Sequence, residues 1–269
     1  MLSSTWFAHH RLLTFGVGFG VLIVAVAFGV WLFVLRSPGT QVDLREAVRQ
    51  FRLSQHDQHA DLTAHDTELP PAGVYQYRTT GGERLSVGDI SRAFPSTTAM
   101  IVTDSGCATL AWEPLVQHME GLEICPAGGG ALAIASAPSS EDIAGTRTTT
   151  DIRCPARTYL VPPGDADGTR WHETCHAPHE KVVVSGRVLG RSTVSVGGRA
   201  VPAVHTELDL TWSGAESGTN PNQYWISPQD GMILRQLETV DVSEGSGPLG
   251  SVHYSEAMSI AVTSLRPAR

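Results

Sequence analysis

The pattern of apolar and polar positions changes character twice along the chain. From Leu12 to Leu35, 24 residues pass without a charge between Arg11 and Arg36, and about 20 apolar residues suffice to cross a bilayer as a helix. This run predicts an uncleaved transmembrane helix at 12–35 behind a short cytoplasmic tail, 1–11. A cleaved signal would have a shorter apolar part and a small-x-small site, which RSPGTQVDL does not supply. Residues 36–73 read as a juxtamembrane helix and linker. Leu44, Val48 and Phe51 fall at i, i+4 and i+7, one stripe of a short amphipathic helix over 42–54 that could lie against the membrane or the domain. The stretch 55–73 is polar, His-rich and ends in Pro70-Pro71, a linker composition.

From Val74 onward the period becomes two. About a dozen short alternating runs, bounded by Gly, Pro, Asp or Ser, predict strands without an intervening helix. In AVHTELDLTW, Val204, Thr206, Leu208 and Leu210 face one way and His205, Glu207, Asp209 and Thr211 the other. Gly197-Gly198 and Asp230-Gly231 accept the positive φ of tight turns. The expected fold is mainly β: an N-terminal transmembrane helix plus an antiparallel β half-barrel or sandwich ectodomain over 74–269.

Charge and cysteines then bear on location. The net charge is −8, with a single lysine among 19 basic residues and no basic run, so nucleic acid is not an expected partner. Arg36, Arg45, Arg49 and Arg52 follow the span, and a count of positive residues alone would hold the large domain inside. Long domains translocate largely regardless of charge, however. The four cysteines, Cys107, Cys125, Cys154 and Cys175, are an even number and all lie beyond the span, as a disulfide framework outside the cytoplasm requires. Three pairings are open. Joining neighbours, Cys107 with Cys125 and Cys154 with Cys175, suits hairpin partners that face each other, and each closure stabilises by roughly 3 kcal/mol.

Three constellations could carry chemistry. His172-Glu173-Thr174-Cys175-His176 spells H-E-x-x-H, but a zinc protease needs that motif on a helix, and this one has strand-like neighbours and Pro178 close behind. Asp104-Ser105-Gly106-Cys107 is similar to a serine-protease nucleophile loop, yet only about 40 residues separate it from the histidine segment LTAHD, too few for two barrels. Asp165-Ala166-Asp167-Gly168 lacks the acidic residue that closes a calcium loop. No catalytic residue, cofactor or metal is therefore expected, and a metal-dependent hydrolase ranks third among the readings.

GVYQYRTTGGERLS, WHETC, GRVLGRSTVSVGGRAVPAVHTELDLTWSG and YWISPQDGMILRQLETV, followed by SLRP, carry a resemblance across 74–267. The stretch resembles extracytoplasmic domains of actinobacterial membrane-anchored proteins and is similar to the lipoprotein-carrier half-barrels of the LolA and LppX type. That resemblance implies a convex antiparallel sheet sheltering acyl chains on its concave face. The leading expectation is a single-pass cell-membrane protein whose ectodomain binds a lipid or other apolar ligand, lined by Trp112, Trp212, Tyr224 and Trp225. The alternative is a non-enzymatic scaffold in an envelope assembly, docking through a sheet edge or the amphipathic helix. Gly16-x-x-x-Gly20 and Ala25-x-x-x-Gly29 would permit a transmembrane homodimer.

Overall fold

The computed structural model describes residues 39–57, 69–86, 89–143, 146–247 and 250–268. The expected tail 1–11, the span 12–35 and most of the linker lie outside these residues. Among the described residues no helix is long and apolar enough to cross a membrane. The helix α1 (Leu44–Asp57) precedes fourteen strands: β1 (Gly73–Leu85), β2 (Ile90–Ala93), β3 (Thr97–Asp104), β4 (Ala108–Leu115), β5 (His118–Pro126), β6 (Leu132–Ile143), β7 (Thr146–Arg153), β8 (Tyr159–Val161), β9 (Arg170–Ala177), β10 (Glu180–Val196), β11 (Arg199–Gly214), β12 (Glu216–Ile226), β13 (Ile233–Gly247) and β14 (Gly250–Val262).

Asp43 caps α1 by accepting the Arg45 amide at 3.0 Å, satisfying one of the donors a helix start leaves free. The stripe Leu44, Val48 and Phe51 packs with Ala47 on Val74, Ala99 and Ile101. These are residues of β1 and β3, so the helix lies against the outer face of the sheet.

The strands form one antiparallel sheet. Its order runs β14-β13-β12-β11-β10-β9-β7-β6-β5-β4-β3-β1, and β14 pairs in turn with β1. The expected half-barrel or sandwich is thus a closed ring, with β2 hydrogen-bonded to the far end of β1 and β8 to β6. Closure runs from Tyr77↔Val262 to Leu85↔Tyr254, and it consumes the two edges that an open sheet would leave unpaired.

The pairs of neighbouring strands owe their register to local signals. Gly197 and Gly198 have φ of 56° and 79°, which turns β10 into β11 within two residues. At Asp230-Gly231 only Gly231 has positive φ, 64°. There the amide of Ser227 donates to the carbonyl of Met232 at 2.9 Å around a wider loop. Gly186 faces Trp171 across β10 and β9, and a Cβ on Gly186 would lie 1.9 Å from the indole, so only glycine admits that ring.

Each disulfide ties a residue at a strand end to the neighbouring strand: Cys107, just before β4, to Cys125 of β5 with Cα atoms 4.4 Å apart, and Cys154, just after β7, to Cys175 of β9 at 4.3 Å. The second has a particular position. Strands β7 and β9 share one residue pair, Arg153↔His176, the thinnest joint of the ring, and Cys154–Cys175 is directly beside it.

Candidate functional site

Twelve strands enclose more space than inward side chains fill, since an eight-stranded barrel is just full. The lumen accordingly keeps a cavity of about 230 Å³. At the end marked by Tyr75 its surroundings are apolar, with Val102, Leu110, Ile124, Ile134, Leu208 and Ile233 in one continuous core. Polar atoms there find partners: the Tyr77 hydroxyl donates to the Ile233 carbonyl at 2.6 Å, and that of Tyr75 to the Pro71 carbonyl at 2.8 Å.

One step along the barrel the chemistry changes. The Trp112 indole N–H donates to Thr98 Oγ1 at 2.8 Å, and Thr98 shares a 2.7 Å hydrogen bond with Thr79. Beyond this belt lies a layer of inward charged and amide side chains. Arg92 donates to Glu83 Oε1 at 2.7 Å and His118 Nδ1 to Glu83 Oε2 at 2.9 Å. The other imidazole nitrogen, Nε2, lies 3.5 Å from Glu120 Oε1 and 3.8 Å from Glu256 Oε2. Phe94 and Trp112 cover the ring, with centroids 5.5 and 5.8 Å away. On the facing strands Asn220 and Gln236 donate to the two oxygens of Glu238 at 2.8 and 2.7 Å, and Tyr254 donates to Glu256. A second apolar cluster, Leu85, Ile90, Val240, Val242 and Tyr254, succeeds the layer.

Burial and charge set the protonation. Burial alone would raise Glu83, but His118 and Arg92 hold it below the ordinary carboxylate value. Burial opposes charge on His118, yet the carboxylates of Glu120, Glu256 and Glu83 raise it well above the ordinary imidazole value. Glu256 and Glu238, desolvated and near Glu120, are pushed up. Glu141, also desolvated, rises to about 7. Five carboxylates thus converge on two cationic side chains in a medium where unpaired charge is costly.

Of the aromatic residues expected to line a pocket, Trp112, Trp212 and Tyr224 border the cavity. Trp225 does not: it is one residue out of phase with Tyr224, stacks on His205 with centroids 4.0 Å apart, and lies under the Arg235 guanidinium at 4.7 Å. The H-E-x-x-H stretch is strand β9. Alternation places His172 and His176 on the outer side and Glu173 on the inner one. Four residues of strand also separate the histidines by about 13 Å, so they cannot share one metal ion. Asp104 accepts the Gly106 amide at 3.0 Å, making Asp104-Ser105-Gly106 a turn. Asp165 pairs with Arg191 at 2.6 Å, an ordinary surface ion pair.

The charged layer was not anticipated, although part of its signal is visible. His118 and Glu120 are in phase with Leu122 and Ile124, and Glu256 with Met258, Ile260 and Val262. An acid in phase with a buried apolar series must point inward. Glu83 carries the same signal, in phase with the buried Tyr75, Tyr77, Thr79 and Leu85 of β1.

No family model matches the chain, and no curated protein matches it. Among solved structures it is similar to the hypothetical lipoprotein YmcC from Escherichia coli (K12), at 12% identity and a TM-score of 0.33, over 84% of this chain and all of that one.

Proposed function

We propose that the chain binds a small apolar ligand in the lumen of an extracytoplasmic β-barrel held at the membrane by residues 12–35. The observation that carries this reading is the cavity of about 230 Å³ whose walls include Met100, Leu110, Leu122, Ile152, Val184 and Leu208. A dry apolar cavity of about 150 Å³ already takes up benzene, so a molecule of one or two rings, or a short acyl chain, fits here. The driving force is burial of apolar surface, about 25 cal/mol per Å². Location outside the cytoplasm is supported by the pairing of all four cysteines, since structural disulfides belong to oxidising compartments.

The scaffold alternative relied on a free sheet edge or the amphipathic helix. The β14–β1 pairing occupies the terminal edges and α1 packs its stripe on the sheet, which leaves such a role the side of β7 that meets β9 at one residue pair. The binding reading is tested with the full chain in lipid nanodiscs, titrated with N-phenyl-1-naphthylamine and read by quenching of tryptophan emission. Saturable one-site binding is expected, weakened at least about tenfold by Leu208→Trp, which fills the space. Absence of saturable binding to the unsubstituted chain overturns it.

A further inference from the structure

We infer that His118, Glu120 and Glu256 form a binding site for one divalent metal ion of the zinc type, inside the barrel at the boundary of its charged layer. The ligand atoms of these three residues all lie within 4.8 Å of one another. The imidazole nitrogen Nε2 is 3.5 Å from Glu120 Oε1 and 3.8 Å from Glu256 Oε2. A tetrahedral ion with bonds of about 2.0–2.1 Å holds its ligand atoms about 3.4 Å apart; the two spacings from Nε2 are close to this, and the two carboxylates, no more than 4.8 Å apart, would draw in on the ion.

Two buried polar atoms lack the partners that a finished interior supplies. His118 Nε2 and Glu256 Oε1 make no hydrogen bond, although the His118 side chain is 1% exposed and that of Glu256 fully buried. Buried polar groups ordinarily have partners. The supporting residues match what a ligating histidine needs: Glu83 accepts from Nδ1 at 2.9 Å, which fixes the ring and aims Nε2 at the two carboxylates, where a bound ion would take the place of the Nε2 proton. Arg92 in turn holds Glu83 at 2.7 Å, and Tyr254 holds Glu256. Imidazole and carboxylate together suit zinc and its first-row neighbours. An ion could reach the site from the side of Glu120, whose side chain is 26% exposed.

This site is independent of whether the lumen takes an apolar molecule. It is tested on the full chain in nanodiscs, stripped with a chelator and titrated with Zn(II) against a chromophoric competitor. One equivalent is expected to bind with submicromolar affinity, weakened at least about 30-fold by Glu120→Gln and by His118→Ala. Because His118→Ala could fail to fold, Glu120→Gln, at a partly exposed position, is the decisive variant, with a cooperative melt as its check. X-ray absorption should report one imidazole among oxygen ligands. The double variant His172→Ala/His176→Ala, on the outer face, should bind as the parent does. Failure of the parent to bind one equivalent, full affinity in folded Glu120→Gln, or loss of binding in the outer-face variant would each overturn the assignment.

Discussion

At the Tyr75 end of the barrel, Val102, Leu110, Ile124 and Ile233 belong to one buried apolar core. At the Glu83 end, strands of the same alternation bring Glu83, His118, Glu120, Glu238 and Glu256 together. The two halves share strands, so no difference of secondary structure separates them. Alternation decides which side chains enter a barrel but not what chemistry they make once inside. In the apolar half, stability comes from transfer and packing and is spread over many contacts. In the charged half it depends on a few ionic hydrogen bonds whose partners are costly to strand.

The sharpest way to break this contrast is to remove the anion at the centre of the charged half. Glu83→Ala leaves Arg92 and His118 buried without their shared partner, and unfolding by urea should show a loss of about 4 kcal/mol. In the apolar half, Leu110→Ala opens a cavity beside one that already exists. A loss of about 3 kcal/mol is expected, with cooperativity retained and increased capacity for N-phenyl-1-naphthylamine. If Leu110→Ala cost more than Glu83→Ala, the charged half would not be the more sensitive one. At the belt between them, Thr98→Val strands the Trp112 indole N–H and should cost about 1.5 kcal/mol by thermal unfolding.

The smallest effect belongs to the mouth beyond the second apolar cluster. There desolvation, with Glu180 and Glu244 nearby, pushes Glu216 up to about 7. Its folded value exceeds the unfolded one, so the folded state binds the extra proton. Stability from this group is present below about pH 4.5 and declines as pH rises through 7. Glu216→Gln should flatten that decline by about 0.5 kcal/mol after solvent screening, as measured by melts from pH 4.5 to 8.

Several features were legible before the structure. The inward series Val204, Thr206, Leu208 and Leu210 is buried or lines the cavity as its period implies, and both facing disulfide pairs are those that hairpin geometry favours. The helix stripe was legible but not its partner. Among the aromatic residues, Trp225 was placed wrongly because YW offers two neighbours of similar hydropathy, and only register tells which one enters. The H-E-x-x-H letters of His172 to His176 lie on strand β9, and a strand does not bring i and i+4 to one ion.

From sequence alone came the local properties: a period of two, glycine turns, an amphipathic helix, and cysteines in facing positions. These follow from sterics and burial within a few residues, where the chain has little freedom. Tertiary structure decided the rest. Pairing Tyr77 with Val262 closes a half-barrel into a ring, and it is this closure, with its register, that gathers Glu83, His118, Glu120 and Glu256 from strands far apart in the chain. Such long-range pairings depend on the mutual fit of whole strands, which no local pattern encodes.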